Sequence, residues 1–85
     1  MEVSRIKRTI EESLPGAEVF VRDFAGDGDH LEAVVIHASF EGKSPLARHR
    51  MVYTAIGREL LEELHALKLK TLAPSEAVTS KNLER

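Results

Sequence analysis

The stretch Phe40–Thr71, FEGKSPLARHRMVYTAIGRELLEELHALKLKT, decides the fold. It leaves an apolar strand, turns at Gly42 and enters a helix at Ser44-Pro45, with serine as the cap and proline at the first helical position. At about 100° per residue, His49, Val52, Tyr53, Ile56, Leu60 and Leu64 share one stripe, which predicts a single long helix. Leu67, Leu69 and Thr71 then alternate with Lys68 and Lys70, predicting a strand with an outward basic edge. A helix joining two strands in this way predicts that those strands are parallel.

Nearer the N-terminus, Val3, Ile6, Ile10 and Leu14 form the apolar stripe of a first helix, which Pro15-Gly16 ends. Residues 17–24 alternate, with Val19 and Val21 on one face and Glu18, Phe20 and Arg22 on the other. The glycine-rich turn at residues 25–29 predicts an antiparallel hairpin with a second strand, His30–Phe40. That strand carries Val34, Ile36, Ala38 and Phe40 on one face and Leu31, Ala33, Val35 and His37 on the other. Two apolar faces predict a central position. Pro74–Ala77 reads as a last helical turn, and residues 79–85 as a flexible tail after a single domain over residues 1–78. The expected order is α-β-β-α-β: an α+β domain whose mixed three-stranded sheet has helices on one face and leaves the other partly open.

Eighty-five residues allow one small domain. The net charge of −2 supplies no global attraction to nucleic acid. No apolar run approaches the roughly 18 residues of a membrane span, and the polar Met1–Arg5 segment does not suit a signal peptide, so the expected location is cytoplasmic. The chain has no cysteine, which removes disulfides, thiol catalysis and cysteine-only metal sites. Metal ligands would have to come from His30, His37, His49, His65, carboxylates or a partner. No nucleophile–base pattern or phosphate-binding loop is present, so the chain is expected not to be an enzyme.

Several short motifs occur together in order: Gly28-Asp29-His30, Phe40-Glu41-Gly42-Lys43-Ser44, Arg48-His49-Arg50, Leu64-His65-Ala66-Leu67, and Lys70-Thr71 before Pro74. In this the chain resembles the BolA-like family, whose fold is related to the type II KH domain. Its short hairpin turn is most similar to the compact bacterial IbaG-type branch. It departs from the family in having Ala77-Val78 where a tryptophan is common, and in lacking a hairpin-loop cysteine.

The resemblance implies an adaptor in iron–sulfur assembly or trafficking that binds a monothiol glutaredoxin, with glutathione, and shares a [2Fe-2S] cluster with it. The isolated chain would hold no cofactor. His65 is the implied ligand, and His30 the implied second one; Asp27 and Asp29 beside it offer competing oxygen ligands. The family also implies a second role, as a DNA-binding transcriptional regulator of stress response and cell shape. For it the candidate contacts are Lys43, Arg48, Arg50, Arg58, Lys68 and Lys70, although Glu59, Glu62 and Glu63 dilute their field. Gly42-Lys43-Ser44-Pro45 lacks the second glycine of a KH nucleotide-clamping loop. His49 reads as a packed structural residue and His37 as a surface residue.

Overall fold

The computed structural model describes residues 3–28, 30–63 and 66–77. Helix α1 (Val3–Ser13) is followed by strands β1 (Glu18–Asp23) and β2 (His30–Ile36), and a 3-10 turn (Ala38–Phe40). Helices α2 (Pro45–Ile56) and α3 (Arg58–Glu63) lead to strand β3 (Ala66–Leu72). A short helical turn over residues 74–77 follows.

The sheet order is β1-β2-β3, with β2 central, antiparallel to β1 and parallel to β3. Val19 pairs with Val35 and Val21 with Ala33, while Leu31, Ala33 and Val35 stand opposite Leu67, Leu69 and Thr71. Residues aligned across a ladder share a face. This face meets Ile6, Ile10, Val52, Ile56 and Leu60 from the helices, and together they form the core. The opposite face carries Phe20, Arg22, Glu32, Val34, Lys68 and Lys70 and stays largely open. At one end of it, Pro74 and Ala77 line a pocket together with Glu18 and Ile36, and Ile36 is only 8% exposed. None of the described helices is long and apolar enough to cross a membrane.

Three expectations need correction. The second strand stops at Ile36, not Phe40. The chain then tightens into the 3-10 turn, whose three-residue period turns Phe40 into the core, where it is fully buried. His37 accordingly is not a plain surface residue. Its Nδ1 accepts from the Ser39 backbone N–H at 3.1 Å and caps the turn. Because Nδ1 is an acceptor, Nε2 carries the proton and donates to the Pro15 carbonyl at 2.9 Å. One imidazole thus ties the end of β2 to the end of α1.

The predicted long helix is two helices, broken at Gly57. That residue sits at φ 89°, ψ 152°, a region that essentially only glycine occupies. Its N–H still donates to Tyr53 O, and its carbonyl accepts from Leu61 N, so the break costs little hydrogen bonding. No atom lies within 4 Å of where a Cβ would stand, so substitution strains the backbone without a clash. Gly57→Ala is expected to lose about 1–3 kcal/mol in denaturant unfolding, the cost of one disallowed backbone conformation.

The third correction concerns the buried stripe of α2, which is Arg48, Val52 and Ile56. His49 lies at its margin, half-buried and edge-on to exposed Tyr53 with ring centroids 6.4 Å apart.

Candidate functional site at the hairpin end of the sheet

The hairpin loop is held by its own aspartates. Asp23 accepts from the N–H of Gly26 at 2.8 Å and of Gly28 at 2.7 Å, one with each carboxylate oxygen. Asp27 accepts from His30 N at 3.1 Å, and its second oxygen meets His30 Nδ1 at 2.7 Å. An ionised carboxylate only accepts, so Nδ1 is the protonated ring nitrogen and the imidazole is fixed in orientation. Phe24 packs edge-on to the same ring at 6.1 Å, and the Lys68 ammonium stands 4.6 Å from the Phe24 centroid.

His30 opens β2 directly opposite Ala66, the first residue of β3. His65, the residue before Ala66 in sequence, lies outside the described residues, as do Asp29 and residues 78–85. Among the described residues no three His, Asp or Glu side chains cluster as a metal site. With no cysteine in the chain, a cluster here would need thiolates from another molecule. His30 suits such a shared site: a carboxylate hydrogen-bonded to Nδ1 is the usual support for an imidazole that ligates through Nε2.

The six cations considered for DNA do not form one surface. Lys68 and Lys70 alternate with core-packed Leu67 and Leu69, so they lie on the open sheet face, away from the helices. Arg58 donates to Glu62 at 3.1 Å on the helical side, where Lys43 and Arg50 are exposed. Arg48 is no surface contact. Its side chain is 10% exposed, and it grips Glu76 with Nη1 at 2.6 Å and Nη2 at 3.4 Å. Glu76 also accepts from Ala73 N at 2.8 Å, so the pair fastens residues 74–77 to the start of α2. Arginine at i with valine at i+4 and isoleucine at i+8 was the available signal, but Glu76 is 28 residues away.

The guanidinium of Arg48, helped by the Ala73 N–H, holds the Glu76 carboxyl below its ordinary value of 4.5, while partial burial opposes the shift. Since the unfolded chain binds this proton more readily, the pair stabilises the fold above the ordinary carboxylate range. The contribution is lost as pH falls through the depressed folded value. Thermal unfolding followed against pH should therefore show a steeper loss below about pH 4.5 in the wild type than in Glu76→Gln. Amide exchange at Ala77 should report the same difference.

A cysteine-free α+β domain with helices on one face of a mixed three-stranded sheet, and a carboxylate-supported histidine at the hairpin end, is the class of protein that fold and site define. The family described as BolA-like protein matches residues 8–76, and the chain belongs to it. A BolA homologue from Coxiella burnetii superposes with a TM-score of 0.78 at 42% identity, over 92% of this chain and 97% of that one. BolA-like protein 1 of Mus musculus is 40% identical over 61% of this chain, a match that spans 38% of the mouse protein. The DNA-binding transcriptional regulator BolA of Escherichia coli is 38% identical over 61% of this chain and half of its own length.

Proposed function

We propose that this chain is a non-catalytic adaptor in iron–sulfur assembly or trafficking. It would dock a monothiol glutaredoxin and contribute imidazole to a [2Fe-2S] cluster whose thiolates come from that partner and its glutathione. The observation that carries the reading is the β2–β3 register. It places the Asp27-oriented His30 opposite Ala66, the immediate neighbour of His65. Neutral imidazole is an established cluster ligand beside thiolates, where it raises the reduction potential. The chain's own contributions are to orient His30 through Asp27 and to bring the start of β2 beside the start of β3, the strand that His65 precedes in sequence.

Mixing the apo protein with cluster-loaded monothiol glutaredoxin is expected to change the visible absorption and circular dichroism of the cluster. Spectra equal to the sum of the two components would defeat the reading.

The name of the Escherichia coli relative favours a second reading, DNA binding in gene regulation. Burial of Arg48 and the separation of Lys68 and Lys70 from Lys43, Arg50 and Arg58 count against a single basic helix-and-strand surface for it.

A further inference from the structure

We propose that the open face of the sheet binds single-stranded nucleic acid, stacking a base on Phe20 and holding phosphates with Lys68 and Lys70. Phe20 stands in the middle of β1 and is 53% exposed, with its ring turned away from the core. It begins the row Phe20–Val34–Lys70 across the three strands, and the next row is Arg22–Glu32–Lys68. Strands lie about 4.8 Å apart, so Lys70 is rooted roughly 10 Å from Phe20. A nucleotide's base-to-phosphate length, with the reach of the lysine side chain, covers that distance.

The charges on this face leave a slight positive excess, with Arg22, Lys68 and Lys70 set against Glu18 and Glu32. Glu32 is engaged by Arg22 at 3.3 Å. Neither Lys68 nor Lys70 has an ion-pair partner among the described residues. Lysines on an edge strand commonly serve only to block unwanted strand pairing. That role does not account for Phe20 and Phe24, which is 39% exposed beneath the Lys68 ammonium. Exposed aromatic rings interleaved with cations on a sheet are the platform on which unpaired bases stack, independently of sequence.

A protein partner fits less well. Ile36 is only 8% exposed, and the rest of the apolar surface here is Phe20 and Phe24 with half-buried Val34, Ala66 and Leu72. The centre of a protein interface is depleted of charge, whereas Arg22, Glu32, Lys68 and Lys70 stand among these residues. The inference does not depend on the cluster-sharing reading, since neither His30 nor His65 takes part.

The test is fluorescence anisotropy of labelled oligothymidylate and oligouridylate titrated with the full chain, with a duplex for comparison. Both single strands are expected to bind more tightly than the duplex. Phe20→Ala should weaken them about 5- to 150-fold, the range for loss of one stacked base, and Phe20→Tyr should retain affinity. The Lys68→Glu/Lys70→Glu pair should abolish binding, while Arg50→Glu/Arg58→Glu, with the same change in charge, should leave most of it. All the changed side chains are exposed, and unchanged circular dichroism would verify folding. The proposal is overturned by any one of four results: unaltered affinity in Phe20→Ala, equal loss in both charge-reversal pairs, preference for the duplex, or no binding at low salt.

Discussion

Replacing Phe40 with alanine is expected to destabilise the domain by about 3–5 kcal/mol, the cost of removing a large aromatic side chain from a site that cannot collapse. Phe40 is fully buried, and it belongs to the same cluster as Ile6, Leu31, Val35 and Val52. That cluster joins both main helices to the central strand. A domain of this size has roughly 5–15 kcal/mol in total, so the variant should be partly unfolded at physiological temperature. Urea unfolding gives the value directly. Leu46→Ala, at a residue 60% exposed, should stay within about 0.5 kcal/mol of the wild type. A loss below about 1 kcal/mol in Phe40→Ala would mean that the 3-10 turn does not deliver this ring to the core.

The second large effect is on the cluster. In the mixed complex with a monothiol glutaredoxin, His65→Ala is expected to shorten cluster lifetime by more than the 10- to 100-fold typical of losing an outer-shell support. His30→Ala should have a smaller effect, and Asp27→Ala a smaller one again, through the freed ring of His30. His37→Ala is the control, because that imidazole sits just past the far end of β2 and bonds Pro15 and Ser39. It should lower thermal stability and leave the cluster alone. Equal loss in the His65 and His37 variants would indicate unfolding, not ligation.

Much of the fold was legible because its periodicities are local. Ile6 and Ile10 repeat at helical spacing, Val19 and Val21 alternate, and Ser44-Pro45 starts α2 where cap chemistry puts it: Ser44 Oγ accepts from Ala47 N at 3.2 Å. The parallel pairing of β2 with β3 follows from the helical crossover between them. What escaped notice is non-local or ambiguous in period. Ala38 and Phe40 continue the alternation of β2 by coincidence, so a 3-10 turn there imitates a strand. Gly57 interrupts an apolar stripe that resumes at Leu60, hiding the break. Arg48 reads as solvent-facing because the carboxylate that permits its burial arrives only with Glu76.

At the candidate site, the resemblance named His30 and His65, and the hairpin turn together with the crossover predicted that the starts of β2 and β3 would lie side by side. The hydrogen bond that orients His30 through Asp27 was not foreseen. Acidic turn residues serve loop geometry far more often than ligand support, and only the 2.7 Å contact distinguishes the two.

In the proposed complex, imidazole from this chain ligates a cluster held jointly with glutaredoxin. Pulsed EPR on the reduced mixed complex tests it most directly, with only this chain carrying nitrogen-15 histidine. A nitrogen-15 hyperfine coupling of directly ligated strength is expected, lost in His65→Ala/His30→Ala. A cluster spectrum indistinguishable between labelled and unlabelled protein would contradict it.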